Sequence, residues 1–278
     1  MEKKYGQTEE LQTCKDEFIS VVSGINTDGL NSISFELCED NYVGTFSINS
    51  NAVTSNLWFC KNLRNIGRNE IKISEEKLQL IRQSREKIIL IVLESPHIDE
   101  FNKSKCSIAP APALGVTGCN LDNHFIDNIK KYIPDGKYHI ILSNAIQFQC
   151  SLGEDTDKFR DRIWLKLWLC RGFDKTFIKR LEKYSADIIV NLCTIGSHKL
   201  DSLAPQRTKT VINKKYLEDI CDNEIGLQKI TKINKKTTLQ ELTQLAINEY
   251  SDNKLNMCIK GTHPSSWYSE KNIRAWKV

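Results

Sequence analysis

Three short, almost uninterrupted apolar runs limit most strongly the folds open to this chain. They lie in Ile88–Leu93, His139–Ala145 and Asp187–Leu192. Each run is too short for a buried helix and lacks the alternation of a half-exposed strand, so each is predicted to be a central strand covered on both faces. Helical patterns at 121–132 and 158–184 separate the runs, and a fourth strand is predicted at Asn256–Lys260. Strands that alternate with helices predict an α/β fold with a central, mostly parallel sheet flanked by helices.

Residues 1–86 are predicted to be an N-terminal extension of mixed α/β structure, packed on a domain formed by residues 87–278. Within the extension the patterns predict a helix at 9–22, strands at 32–37 and 42–48 joined around Glu39–Asn41, and a helix from Ser74 to about 86. Ser74 followed by Glu75 and Glu76 is typical of a capped helix start. An insertion is expected at about 200–255.

The composition is that of an ordinary globular protein, with 40% hydrophobic and 27% charged residues. No run approaches the roughly 18 apolar residues of a membrane span. The N-terminus has no apolar region typical of a secretory signal. We therefore expect a cytoplasmic protein with no membrane partner.

The chain has ten cysteines, and no two of them form a C-x-x-C pair. Several lie inside apolar runs, so we expect buried, reduced thiols, no metal and no cofactor; an iron–sulfur or metal site is the less favoured alternative. The net charge is +4, and residues 207–278 carry 13 Lys and Arg against 8 Asp and Glu. This basic region either attracts phosphates or is a solvated lysine-rich surface.

Chemically useful side chains follow each predicted strand. In strand order they are Glu94, Ser95, His97 and Asp99; Asn144; Ser197 and His198; and His263, Ser265, Ser266 and Trp267. Ligands of parallel α/β sheets bind beyond the carboxyl ends of the strands. The sequence therefore predicts that these side chains meet in one crevice.

The strand-end segments resemble the motifs of the uracil-DNA glycosylase superfamily. Leu93–His97 (L-E-S-P-H) is similar to the first motif, whose forms include G-Q-D-P-Y-H and G-E-A-P-G, and Ile141–Ile146 is similar to the L-L-L-N-x-V strand. Ile195–Lys199 resembles W-G-S-H-A, and His263–Trp267 resembles the second motif, H-P-S-P-L. The resemblance covers about residues 87–278 and implies a three-layer sandwich of the uracil-DNA glycosylase type.

The resemblance implies a role for each matching residue. A base must leave the DNA stack to be cut. Asn144 would read the flipped base, and His263 would stabilise the negative charge that grows on it. Ser265 and Ser266 would contact phosphates, and Trp267 would act as a wedge between bases. Apart from the motifs, the charge of the nearby Arg274 fits an edge that faces the DNA phosphates. The alternatives are purely structural roles: a strand-end cap for Asn144, a buried turn histidine for His263, a core side chain for Trp267 and an ordinary surface residue for Arg274.

Two departures from the family pattern affect the expected chemistry. Ser95 stands where classical members have an Asp, so Glu94 and Asp99 are the candidate carboxylates beside the sugar; the alternative is that Asp99 and Glu100 cap the next segment. His97 stands where a Tyr excludes 5-substituted pyrimidines. With the small residues of the 107–118 loop as an opposite wall, His97 predicts room for a modified pyrimidine.

The preferred interpretation is a monofunctional, monomeric DNA glycosylase that uses water and acts on double- or single-stranded DNA. Its role would be base-excision repair, or anti-phage defence if the base is a viral modification. The alternative is a catalytically silent relative that binds DNA or a nucleotide. A phosphate-binding nucleotide enzyme has no support, because neither G-x-x-x-x-G-K-[ST] nor G-x-G-x-x-G is present.

Overall fold

The computed structural model describes residues 2–24, 33–50, 52–59, 66–104, 106, 108–153, 159–196, 220–231, 238–251, 257–269, 273 and 276–278. In this part of the chain the strands are β1 (Asn41–Asn49), β2 (Ala52–Leu57), β3 (Lys87–Leu93), β4 (Gly136–Asn144), β5 (Ile188–Asn191) and β6 (Met257–Lys260). The four strands predicted from residue 87 onward are thereby confirmed. Ser197, His198 and Arg274 lie outside the described residues.

The described helices are α1 (Glu2–Ser23), α2 (Arg68–Ile71), α3 (Glu75–Ser84), α4 (Val116–Ile129), α5 (Arg160–Cys170), α6 (Phe173–Tyr184), α7 (Glu224–Thr231) and α8 (Leu239–Ser251). Short 3-10 helices span Ile98–Phe101 and Pro264–Ser266. The predicted cap of α3 is confirmed, since the Ser74 side chain accepts a hydrogen bond from the Lys77 N–H at 3.1 Å. Among the described helices, none has the length and apolarity needed to cross a membrane.

The six strands form one mostly parallel sheet in the order β2-β1-β4-β3-β5-β6. β4, β3, β5 and β6 run parallel, while β1 is antiparallel to both β2 and β4. A bulge lies between Tyr42 and Gly44, where Gly44 has φ +109° and a Cβ would collide with the Asn56 carbonyl. Only glycine fits this position, and the bulge that it permits lets the β1–β2 hairpin follow the edge of β4.

The sheet is buried between two layers of helices and loops. In β3, Ile88, Leu90 and Val92 face one hydrophobic core, while Ile89, Ile91 and Leu93 face a second. The first core receives side chains from α1, α3, α5, α6 and α8, and the second from α4, Trp267 and Trp276. Burying a side chain of this size contributes about 1.5–3 kcal/mol, so both faces of β3 stabilise the sheet.

One local prediction is wrong. Residues 33–37 form no strand; Ile33 and Leu37 pack on the first core, while the Ser34 N–H donates to the Gln149 side chain at 2.7 Å. The partner of β1 within the N-terminal region is instead β2. The helical stretch predicted at 158–184 is confirmed as α5 and α6, which are separated by a turn at Gly172 with φ +76°.

The strand order creates a crevice at a defined place. From β3 the chain passes to β4 on one side, whereas from β5 it passes to β6 on the other side. Such a reversal leaves the loops after β3 and β5 pointing apart, and ligands of α/β sheets bind in the opening between them. The residues after Leu93 and Asn191 therefore border the expected binding site.

Candidate active site

Glu94 follows β3 directly and is 6% exposed. Its backbone carbonyl accepts hydrogen bonds from the Trp164 indole and from the Ile146 N–H, both at 3.0 Å. Its carboxylate oxygen Oε2 accepts a hydrogen bond from the Thr194 N–H, after β5, at 3.3 Å. Contacts from three other segments therefore fix the backbone and carboxylate of Glu94 at the strand reversal.

His263 follows β6 and approaches the same carboxylate. Its Nε2 lies 3.2 Å from Oε2 of Glu94. Its Nδ1 lies 2.7 Å from Oγ of Ser265 and accepts from the Ser265 N–H at 3.3 Å. Because Nδ1 is the acceptor, the ring proton lies on Nε2 and faces Glu94.

The Glu94 carboxylate is held in its charged form. Burial opposes ionisation, but the positive charge that His263 carries when protonated, its hydrogen bond and the nearby Arg160 outweigh burial. Together they lower the pKa of Glu94 to about 2. The structure therefore brings together two of the predicted catalytic residues, as a buried carboxylate with a hydrogen-bond donor.

Asn144 ends β4 and is 1% exposed. Its backbone carbonyl accepts from Nη1 of Arg180 at 2.9 Å. The same Nη1 contacts both carboxylate oxygens of Asp40, at 2.9 and 3.0 Å, and Nη2 donates to the Ala145 carbonyl at 2.7 Å. Tyr184 also donates to Asp40, at 2.7 Å. This network fixes the backbone at the end of β4, and the side-chain amide of Asn144 donates from Nδ2 to Sγ of Cys38 at 3.9 Å.

Glu100 lies in the 3-10 turn after β3 and is 5% exposed. Burial, reinforced by the negative charge of Glu94, raises the pKa of Glu100 to about 8, although backbone hydrogen bonds and the Asn144 amide oppose the rise. From the sequence, Glu100 was expected only as a cap of the segment after β3. Its burial was not visible in the sequence, because a carboxylate beside Asp99 in a turn is usually exposed.

Asp99 and His97 lie closer to solvent than Glu94 and Glu100. Their side chains are 37% and 41% exposed, and the two side chains approach to 3.6 Å. Nδ1 of His97 accepts from the Asp99 N–H at 3.2 Å, and the His97 ring packs against Gly153. His97 thus caps the 3-10 turn; its contact with a base and the role of Asp99 at the sugar stay predictions.

The loop predicted as the opposite wall packs on the turn that carries Glu100. The Ala111 N–H donates to the Glu100 carbonyl at 3.2 Å. Ala109, Ala111 and Ala113 are buried, and Gly115 lies beside the Asp99 carboxylate. In its described part, this loop of small residues therefore packs on the turn that carries Asp99 and Glu100.

The segment after β6 places its aromatic side chains differently from the expected wedge. Trp267 is 2% exposed, packs in the second core and donates its indole N–H to the Thr262 carbonyl at 3.0 Å. The free protein therefore favours the packing alternative for Trp267. Tyr268, the next residue, is 86% exposed. Ser265 is exposed, whereas Ser266 is half-buried and donates to the His263 carbonyl at 2.7 Å.

Three residues near the site were missed by the sequence analysis: Glu100, Arg160 and Arg180. All three are charged; the fold buries Glu100 and Arg160 and leaves the Arg180 side chain 13% exposed. Arg160 and Arg180 lie on α5 and α6, where a charge within a helical pattern normally indicates the solvent face. Only the three-dimensional packing brings them to the strand ends.

Among the described residues, no group of three or more His, Cys, Asp and Glu side chains is placed to hold a metal ion. The nine cysteines of the described part are free, and Cys60 lies outside it. Comparisons with protein-family models, with curated proteins and with solved structures found no match.

Proposed function

We propose that this protein is a monofunctional DNA glycosylase, which flips a pyrimidine base out of DNA and hydrolyses its N-glycosidic bond. The observation that carries the proposal is the pair formed by the buried Glu94 and the half-buried His263, 3.2 Å apart. The pair lies at the carboxyl ends of the parallel strands, where Asn144 ends the neighbouring strand β4. A fixed carboxylate, an imidazole donor and an amide are the groups needed for a cationic sugar and a departing base.

The chemistry divides between these groups. The bond between C1′ and the base nitrogen breaks, the electron pair leaves with the base, and the sugar becomes oxocarbenium-like. The ionised Glu94 stabilises this positive charge and orients the water whose oxygen then bonds to C1′. His263 donates its Nε2 proton in a hydrogen bond to the base carbonyl, where negative charge grows. A proton from water finally neutralises the base.

The architecture supports the finer fold assignment that goes with this function. The four parallel strands lie between two helical layers, and the site lies at their carboxyl ends. We therefore propose a three-layer sandwich of the uracil-DNA glycosylase type. Fold alone does not define an activity, so the proposal rests on the site.

The proposed substrate is a pyrimidine in double- or single-stranded DNA, bound by a monomer. His97 is smaller than the tyrosine of the family motif, and the alanine-rich loop opposite it carries small side chains. Both features favour a pocket with room for a 5-substituted base. Such a base would suit defence against phage DNA, whereas uracil would suit repair.

The test is incubation of the full chain with labelled oligonucleotides that carry one uracil, one 5-hydroxymethylcytosine or one glucosylated 5-hydroxymethylcytosine. Alkali then cleaves abasic sites, and mass spectrometry identifies the released base. We expect abasic sites with wild type and with the control Glu36→Gln, whose carboxylate is exposed and paired with Lys103. Glu94→Gln should lose the activity. No abasic site on any of these DNAs would refute the glycosylase proposal for these bases.

A second candidate function is DNA or nucleotide binding without cleavage. It is favoured by Ser95, which supplies no carboxylate, and by the engagement of the His263 Nε2 proton with Glu94 in the free protein. Tight binding to base-modified DNA without abasic sites would support this alternative.

A further inference from the structure

Three buried polar atoms at the strand ends have no hydrogen-bond partner among the described residues. They are Oγ of Ser95, Oε2 of Glu100 and Oδ1 of Asn144, in residues that are 7%, 5% and 1% exposed. The described part of the chain contains six such atoms, so half of them lie here. An unpaired buried polar atom costs about 1–3 kcal/mol. Their concentration where α/β sheets bind ligands indicates that a ligand supplies the missing partners.

Among these three residues, Glu100 is unusual because it is a carboxyl group that is buried. Its backbone is fixed on both sides, since its N–H donates to the His97 carbonyl at 2.9 Å and its carbonyl accepts from Ala111 at 3.2 Å. The carboxyl group is buried near the Asn144 amide. The side chain therefore points toward the end of β4 and away from solvent.

We infer that Glu100 is a base-reading residue, whose carboxyl group binds the donor–acceptor edge of the flipped pyrimidine together with the Asn144 amide. This inference rests on the proposed function and deepens it. A protonated carboxyl group presents one O–H donor and one carbonyl acceptor, which match the adjacent donor and acceptor on the Watson–Crick edge of cytosine or uracil. An ionised carboxylate only accepts, so it can pair with the donor of the base but leaves the adjacent acceptor of the base without a partner.

The groups that face Glu100 keep it protonated at neutral pH. Burial is the largest influence, and the charge of Glu94 on β3 adds to it, which together raise the pKa of Glu100 to about 8. Cys38, on the segment before β1, is a neutral thiol because burial raises its pKa well above the usual range. His97 and Asp99 belong to the same turn, and residues 108–115 contain no titratable side chain.

The two carboxyl groups of the site therefore have opposite states. Glu94 is an anion beside His263, while Glu100 is an acid beside Asn144. A pair of carboxyl groups with divergent pKa values is a recurrent sign of divided roles in an active site. Here the anion serves the sugar and the acid serves the base.

The experiment compares single-turnover rates of wild type, Glu100→Gln and Glu100→Ala from pH about 6 to about 9.5 on one DNA substrate. Wild type should slow about tenfold per pH unit above about 8. Glu100→Gln keeps one donor and one acceptor, so it should stay within about fivefold of wild type at pH 7 and show no Glu100-dependent decline. Glu100→Ala should lose about tenfold or more. Since the DNA is the same, any titration of the base affects all proteins alike.

Two outcomes overturn the inference while leaving the glycosylase proposal intact. One is a Glu100→Gln profile that declines as wild type does; the other is a wild-type rate for Glu100→Ala with its fold intact by thermal melting. The exposed control Glu36→Gln should reproduce the wild-type profile.

If wild type cuts no DNA, the glycosylase proposal fails and binding tests the inference alone. The probe is a duplex with one 2′-fluoro pyrimidine nucleotide, whose fluorine disfavours an oxocarbenium ion, compared with a duplex that has an abasic site. A preference for the pyrimidine duplex that wild type loses above pH about 8 and Glu100→Gln retains supports base reading by Glu100. Equal binding of both duplexes, or a preference that does not depend on Glu100, refutes it.

Discussion

At the scale of single residues, the neighbours of a side chain decide its role, even among residues of the same type. His263 is one imidazole among five in the chain, and its distinction is the buried carboxylate 3.2 Å from Nε2. In the proposed reaction the Nε2 proton, which faces Glu94 in the free protein, must turn to the departing base. The contact with Glu94 therefore holds the ring at the site but also competes with the substrate for this proton.

We predict that His263→Ala slows base release by about 10²-fold or more, because one donor to the developing charge is lost. DNA affinity should change little, since the ring stabilises the transition state more than the bound substrate. Single-turnover kinetics and fluorescence anisotropy measure the two quantities. His124→Asn is the control, as His124 lies on α4 and packs against Trp267 instead of Glu94. A near-wild-type rate for His263→Ala would remove it from the mechanism.

Glu100 and Glu94 should also shift stability with pH in opposite directions. The pKa of Glu100 rises from 4.5 to about 8 on folding, so between these values the unfolded chain loses a proton that the folded chain keeps. The free energy of unfolding therefore falls as pH rises through this window. Glu100→Gln should remove that fall and gain stability relative to wild type from pH about 5 to about 8. Urea denaturation at several pH values measures it, and parallel curves would contradict it.

Glu94→Gln supplies the control of opposite sign. The pKa of Glu94 falls from 4.5 to about 2 on folding, so its ionised form stabilises the protein fully above pH 4.5. That stabilisation disappears as pH falls toward 2. Glu94→Gln should therefore be less stable than wild type at neutral pH, with a difference that shrinks in acid.

At the scale of elements, the turn between α5 and α6 depends on one backbone conformation. Gly172 has φ +76°, and no atom lies within 4 Å of where its Cβ would be. We predict that Gly172→Ala lowers the free energy of unfolding by about 1–2 kcal/mol, from backbone strain alone. Gly24→Ala is the control, since Gly24 has no such φ and its Cβ would make ordinary contacts. Equal stability of the two variants in urea would disprove the strain argument.

In the segment after β6, the exposed aromatic side chain is Tyr268 and not Trp267, so Tyr268 is the one that could contact DNA in the proposed complex. Tyr268 is 86% exposed and directly follows the segment that carries His263. We predict that Tyr268→Ala weakens DNA binding by about tenfold, as expected for loss of an aromatic contact with a base. Fluorescence anisotropy with labelled duplex measures the change. Val116→Ala, at another strongly exposed apolar side chain, should bind as wild type does; a Tyr268→Ala affinity equal to it would exclude this contact.

The elements differ in how well the sequence predicted them, for physical reasons. Ile88–Leu93 and its neighbours were predicted because a strand buried on both faces requires an unbroken apolar run. Residues 33–37 alternate as a strand does, yet their backbone bonds to side chains and loops. β2 (Ala52–Leu57) is an edge strand with mostly exposed side chains, so it carries little apolar signal. The strand ends located Glu94, Asn144 and His263, whereas Glu100 and Arg180 required the packing.

At the scale of the whole molecule, Arg180 joins three distant parts of the chain. Its guanidinium binds Asp40 before β1 and the carbonyls of Asn144 and Ala145 at the end of β4. The Asp40 side chain is 1% exposed and that of Arg180 is 13% exposed. The N-terminal region therefore contributes to the geometry of Asn144, although the boundary drawn at residue 86 stays a prediction.

We predict that Asp40→Asn and Arg180→Leu each lower the free energy of unfolding by about 3–5 kcal/mol, because each leaves the other buried group poorly paired. The double variant should lose less than the sum of the two. Lys179→Met is the control: its pair with Glu10 is exposed, so it should cost about 1 kcal/mol or less. Additive losses in a double-mutant cycle would show that Asp40 and Arg180 stabilise the protein independently.

The contact between Trp164 and Glu94 gives the protein an optical reporter at its centre. The Trp164 indole N–H donates to the Glu94 carbonyl at 3.0 Å, and its ring stacks on Trp168 at 4.6 Å. Indole emission responds to hydrogen bonding and to nearby charge. Any ligand that moves the loop after β3 should therefore change the emission of a buried tryptophan, and Trp164→Phe should reduce the change, with Trp168 and Trp267 as the remaining emitters near the site. Stopped-flow fluorescence can then follow the arrival of DNA at the strand ends without any attached dye.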